Sequence, residues 1–314
     1  MRILLATDLS PESEIAQTLV MGMPLPAGSH IRAVYAIEQL SAAVTFGVMP
    51  VPEMPDDIAD DARRELAKIA RTLQRACVTI ETAARIGRAA DVIVDESVSF
   101  APDLIVMGNR GRGAIASTIL GSVSAEVIDR ASAPVLIARR PTLASVVLAE
   151  DGSDSAAAGA RFISAYAPFA NTAVHVVSVT DVPFPVVLAD PTGTSTAVDA
   201  YETYQMSVEA TRARQEAVLA ARLLALRGLR IATTGERREG DAASELIAAA
   251  AARRADCIVI GSRGQTGLRR FVLGSVARSV LHHAPCSVLV AHAPVITEPA
   301  DRELVSSSGR EVLA

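Results

Sequence analysis

The chain contains itself twice, and that repetition constrains its fold more than any other feature. Residues 104–123 read LIVMGNRGRGAIASTILGSV, and residues 257–276 read CIVIGSRGQTGLRRFVLGSV. Gly108 and Gly261, Gly111 and Gly264, Gly121 and Gly274, and also Gly87 and Gly240, each lie 153 positions apart. The opening segments match as well, RILLATDLS with SVVLAEDGS, but there Asp8 and Asp151 are offset by 143. One duplication with ten residues added to the second copy accounts for both spacings, and the stretch ADPTGTSTAVDA (189–200) is the expected place for them.

Within each copy, short apolar runs alternate with helical periodicity. The runs at 3–6, 31–37, 78–83, 104–107 and 135–138 are expected strands, partnered by 146–149, 173–179, 229–233, 257–260 and 288–291. In one intervening stretch Ile58, Ala62, Leu66, Ile69 and Leu73 keep the three-and-four spacing of a helix with one buried face. Five strands joined by crossover helices predict an α/β fold, a doubly wound, Rossmann-like parallel sheet in each of two tandem domains. The expected domains are 1–140 and 143–292, with Arg139-Arg140-Pro141 at the junction and a C-terminal tail, 293–314, that loses periodicity.

Composition fits that architecture and excludes others. Half of the 314 residues are apolar but only 3% are aromatic and none is Trp, so Ala, Val, Leu and Ile must fill the interior. Strands buried on both faces of a parallel sheet use those residues. A net charge of −5 argues against a nucleic-acid binder, which carries a basic surplus. No apolar run reaches ~20 residues, so no membrane span is expected. Cys77, Cys257 and Cys286 lack metal-ligand spacing and sit in apolar runs, which predicts buried thiols in a reducing compartment and a cytoplasmic protein.

The motif G-x2-G-x9-G-S follows a strand in both copies: Gly108, Gly111, Gly121-Ser122, and Gly261, Gly264, Gly274-Ser275. Loops at the carboxyl ends of strands are where open α/β sheets bind ligands. Glycines there allow positive φ and close approach of main-chain amides to phosphate oxygens. Ser122 and Ser275 open the following helix, where an anion is favoured. A tight turn is the competing reading, but the same spacing twice favours phosphate. A P-loop is excluded because Ala114 and Ile115 stand where Lys and Ser/Thr are needed, and no G-x-G-x-x-G follows either first strand.

With an aspartate ending the first strand, this motif resembles the ATP-binding branch of the universal stress protein family, over roughly 1–140 and 143–292. The resemblance implies strand order 3-2-1-4-5 in each domain and association of the two domains as a pseudo-dimer, and it allows a further homodimer. It places Asp8 and Asp151 beside the nucleoside, and has Ala36 and Val176 on the second strands offer main-chain groups to the adenine. Met107 and Ile260 would precede the loops, and Val123 and Val276 would follow the serines near the phosphates. Asp8 and Asp151 also suit helix caps or turns, in D-L-S-P and D-G-S-D. Leu9 stands where the second copy has Gly152, and ASAP replaces the second copy's Ala284-Pro285-Cys286, so the second copy is the closer match.

Nothing in the residues calls for catalysis. His30, His175, His282, His283 and His292 lack metal-ligand spacing and are expected at helix ends or on the surface. Arg110, Arg112 and Arg263 can screen phosphate charge, and magnesium, where it takes part, would be held by phosphates and water. The expectation is an ATP-holding stress-response regulator, at most a slow ATPase, with protein partners unnamed. The alternative is a partner-binding scaffold whose sites no longer hold nucleotide.

Overall fold

The computed structural model describes residues 1–38, 56–109, 120–166, 169, 171–180, 197–264 and 273–293. The first half contributes β1 (Arg2–Thr7), α1 (Pro11–Gly22), β2 (Ser29–Ile37), α2 (Asp56–Leu73), β3 (Val78–Ile86), α3 (Ala89–Phe100), β4 (Leu104–Gly108), α4 (Ser122–Arg130) and β5 (Val135–Ala138). The second half repeats the order: β6 (Ser145–Ala149), α5 (Asp154–Ala165), β7 (Ala173–Thr180), α6 (Ala197–Gly228), β8 (Thr233–Glu239), α7 (Ala242–Ala252), β9 (Cys257–Gly261), α8 (Ser275–His283) and β10 (Ser287–Ala291).

All ten strands form one sheet, in the order β3-β2-β1-β4-β5-β10-β9-β6-β7-β8. Each half is parallel within itself and has the order 3-2-1-4-5. The last strands, which alone would be exposed apolar edges, pair antiparallel with each other through Val288–Ile137, Leu289–Leu136 and Val290–Val135. Strand alternation sends Leu4, Ile105, Ile258 and Val288 into a core under α3, α4, α7 and α8, and Ile3, Leu5, Val259 and Leu289 into a core under α1, α2, α5 and α6. Both cores run unbroken through the join. On α2, Ala62, Leu66, Ile69 and Leu73 are buried as their spacing predicts.

Register locates the added residues. Val34 lies beside Ala6 and Val177 beside Ala149, an offset of 143, whereas Ala83 beside Val34 and Glu236 beside Val177 give 153. The extra ten residues therefore fall between β7 and β8. Of the stretch 189–200, only 197–200 lie within the described residues, as the start of α6. The predicted tail lies outside them apart from position 293.

Three expectations are corrected. Of the expected strand 229–233, positions 229–232 are instead the turn after α6, with Arg230 at φ 61, and the strand runs Thr233–Glu239. As an edge strand it is half solvated and carries charges instead of an apolar run. Cys77 is exposed in a turn at φ 62, while Cys257 and Cys286 are buried, and burial raises the Cys286 thiol to about 11. His175 is buried on β7, its Nδ1 bonded to Thr234 Oγ1 at 2.8 Å and its Nε2 3.3 Å from Glu236.

Candidate functional site

The repeated loops are closed at their bases in the same way. Gly121 N donates to Asn109 O at 3.1 Å and Gly274 N to Ser262 O at 2.8 Å, equivalent pairs 153 residues apart. Gly111, Arg110 and Arg112 lie outside the described residues. Gly121 and Gly274 are the N-caps of α4 and α8, both extended at φ −64 and −62.

Those two helix starts differ from those of α1, α5 and α7. Helices α1, α5 and α7 are capped by the side chains of Ser10, Ser153 and Asp241 and carry acidic residues in their first turns. Helices α4 and α8 have neither a side-chain cap nor an acidic residue there. Their leading amides keep the positive end of the helix dipole, and their own first turns supply no anion to answer it. Ser122 and Ser275 are the first helical residues, with Val123 and Val276 next.

In the second half these groups line a cavity of about 480 Å³, within the usual range for small-molecule sites. Of the expected residues it brings together Asp151, Ile260, Gly261, Gly264, Gly274, Ser275 and Val276, with Arg263 beside them. Val177 and Val179 enter from β7, Ala242 and Leu246 from α7, and Leu273 from the end of the loop. Apolar walls with amides and a carboxylate at one side suit a ligand with a flat apolar body and an anionic end.

Val176 does not take part. It is fully buried with its side chain in the opposite core, and its carbonyl packs against Gly235. Because the added residues come after β7, the counterpart of Ala36 is Val179, 143 positions on, and Val179 does line the cavity. Ala36 itself packs partly buried on the corresponding face of the first half, as does Val123, and Met107 is buried there.

The glycines divide by role, which corrects the expectation of positive φ. None of the described loop glycines has it; positive φ falls on Gly28, Gly87, Gly152 and Gly240. A Cβ on Gly108 would stand 2.8 Å from Glu12 O, and one on Gly261 would stand 2.8 Å from Ser155 C and Ala156 N. These two glycines let α1 and α5 dock against the strand ends. On Gly264 a Cβ would stand 3.1 Å from Asp151 Oδ2, so that glycine brings the loop to the aspartate.

Asp151 Oδ1 accepts from Ser153 N at 2.9 Å, and Asp8 Oδ1 accepts from Ser10 N at 3.1 Å and Ser10 Oγ at 2.6 Å. The turn-forming role of both aspartates is therefore real, and in the second copy Asp151 also faces the cavity. The residue after each aspartate is left-handed, Leu9 at φ 63 and Gly152 at φ 80. Only glycine takes that conformation without strain. Sequence reasoning missed Glu150. It is one of the lining residues, and its fully buried carboxylate accepts from Gly152 N at 2.9 Å and pairs with Arg222 of α6. The equivalent Thr7 accepts instead from Leu9 N at 3.1 Å.

Comparison with known proteins gives a consistent result. A sequence model described as "Universal stress protein family" matches residues 1–139 and 144–292. A universal stress protein of Mycobacterium tuberculosis is 26% identical over 267 residues, 79% of this chain and 82% of that relative. One from Methanocaldococcus jannaschii is 46% identical over 67 residues, 21% of this chain and 38% of that relative. In fold, a universal stress protein from Archaeoglobus fulgidus superposes with a TM-score of 0.61 at 20% identity, covering 93% of this chain and 98% of that one.

Proposed function

This chain belongs to the universal stress protein family, with two copies of the family's domain in tandem, and from that premise we propose that it is an ATP-binding regulator of the stress response whose second domain holds the nucleotide. The observation that carries the reading is the cavity bounded by an uncapped helix start at Gly274-Ser275 and by the Asp151 carboxylate. The amide and hydroxyl of Ser275, with the amide of Val276, would take phosphate oxygens. Asp151 would take nucleoside hydroxyls, and Val177, Val179 and Leu246 would enclose the base.

The chemistry supplied is binding. Amide donors at the helix start, with the Asp151 carboxylate as acceptor beside the loop, would hold a nucleotide in one orientation, and any hydrolysis would be slow. Arg263 adds positive charge at the loop. Magnesium would be held by the phosphates and water. Buried free thiols at Cys257 and Cys286 fit a cytoplasmic setting.

The test is to purify the chain without added nucleotide, denature it, and identify what is released by mass spectrometry. ATP is then titrated calorimetrically into stripped protein. Adenine nucleotide in the released fraction, or micromolar binding, is the expected result; neither appearing would overturn the reading.

A further inference from the structure

The turn that forms the phosphate end of the second cavity is held from the other half of the chain. Leu273 lines the cavity and immediately precedes Gly274. Its main-chain N–H donates to Asp129 Oδ1 at 3.3 Å, and Asp129 lies on α4, in the first half. The far end of α8 is held from the same side. Arg139 donates from Nη2 to Leu281 O, and from Nη1 to Ala284 O at 3.1 Å and Cys286 O at 3.3 Å. The same guanidinium bonds Asn109 Oδ1 at 2.7 Å, at the base of the first loop. Both ends of α8 are thus tied to first-half side chains.

We propose that Asp129 is a positioning residue for the second nucleotide site, supplied by the first domain. Its carboxylate fixes the Leu273 amide, and so fixes the direction in which the next residues, Gly274, Ser275 and Val276, present theirs. The arrangement is one-sided. The offset of 153 puts His282 at the position of Asp129 and Leu120 at that of Leu273, so the first site has no matching carboxylate. The proposal rests on the nucleotide reading of the cavity.

The test uses the full chain, titrated calorimetrically with magnesium–ATP and, separately, with adenosine. Ser275→Asp sets a negative charge at the phosphate end, and the ATP binding it removes defines the second site. Asp129→Ala is expected to weaken ATP binding at that site roughly threefold to tenfold, the equivalent of one lost hydrogen bond, with adenosine binding unchanged. Asp129→Asn, which keeps an acceptor oxygen, should restore most of the affinity. Asp129→Leu, which keeps bulk without an acceptor, should behave as the alanine variant. Unchanged ATP affinity in both the Ala and Leu variants, or an equal fall for ATP and adenosine, overturns the proposal while leaving the nucleotide reading intact. If Ser275→Asp removes no ATP binding, the nucleotide reading fails and the proposal with it.

Discussion

Arg139 and His292 occupy equivalent ends of β5 and β10, and each reaches across the join to the equivalent carbonyl of the opposite domain's last helix. Arg139 donates to Leu281 O and His292 Nε2 donates to Ile128 O at 2.9 Å; the two donors are 153 positions apart, and so are the two acceptors. The two-fold relation between the copies thus extends to hydrogen bonds made by unlike side chains. A guanidinium keeps its charge at every working pH, whereas an imidazole does not.

That difference predicts a pH dependence. Burial holds His292 below the ordinary histidine range, and Arg263 adds to the effect, against the raising pull of the Ile128 and Ala133 carbonyls and Asp129. Burial lowers His175 and His282 as well. With folded pKa values below the unfolded one of about 6.5, the unfolded chain takes up protons first as pH falls. Stability is then complete above about pH 6.5 and declines as pH falls from there toward the folded values. His292→Gln, which can still donate to Ile128 O, should flatten the melting-temperature profile between about pH 7 and 5. Parallel profiles for parent and variant would show that His292 is not a source of the slope.

Two glycines of one loop should respond oppositely to alanine. Gly264→Ala pushes a methyl group toward Asp151 Oδ2, 3.1 Å away, and disturbs the site more than the fold. We expect roughly tenfold weaker nucleotide binding, the equivalent of about one charge-assisted hydrogen bond, with stability changed by less than about 1 kcal/mol. Calorimetry and a melting curve on the same sample separate the two effects.

Gly261→Ala should do the reverse. Its methyl group would stand 2.8 Å from the main chain of Ser155 and Ala156, which cannot move aside as a flexible side chain does. Overpacking of this kind costs roughly 1–3 kcal/mol. Urea unfolding of Gly261→Ala should therefore show a lower midpoint, and Gly108→Ala, facing Glu12 O at 2.8 Å, should behave alike.

The pair formed by Glu150 and Arg222 supports the wall of the second cavity. The Glu150 side chain is fully buried and that of Arg222 is 21% exposed. Arg222→Leu leaves a buried carboxylate without its partner and should cost about 3 kcal/mol, the lower end of the usual range because the arginine is partly solvated. Adding Glu150→Thr, the residue that the first copy has at Thr7, removes the orphaned charge and should recover most of that loss. A double variant as unstable as the single one would mean the pair is not coupled.

The legible parts of the fold were those where physics writes a long signal. Strands such as β4, β9 and β10 are buried on both faces, so they read as unbroken apolar runs, and duplication shows each signal twice. β8 is not legible in this way, because an edge strand of TTGERRE has no such run. Val176 lies 140 positions from Ala36, an offset that neither 143 nor 153 supports; the 143 of the first strands leads to Val179, and the sheet register agrees. The loop glycines were found but their division was not: whether a hydrogen replaces a methyl group for a helix, at Gly261, or for a carboxylate, at Gly264, depends on neighbours over a hundred residues away. The same distance in sequence hid Asp129 from Leu273. Nor does anything near His292 in the sequence show that it reaches α4 instead of a helix end or the surface.

The antiparallel join of β5 to β10 has a consequence for how the two copies can change. When identical chains pair, a substitution arrives in both partners together, and dilution can part them. Here the partners are covalent neighbours, present one to one at any concentration. A mutation alters one copy and leaves its companion as a reference. Thr7 opposite Glu150, Leu9 opposite Gly152 and His282 opposite Asp129 record that freedom. The linkage turns what would be a symmetric pair into an obligatory unlike one, in which one member is free to specialise while the other preserves the shared sheet.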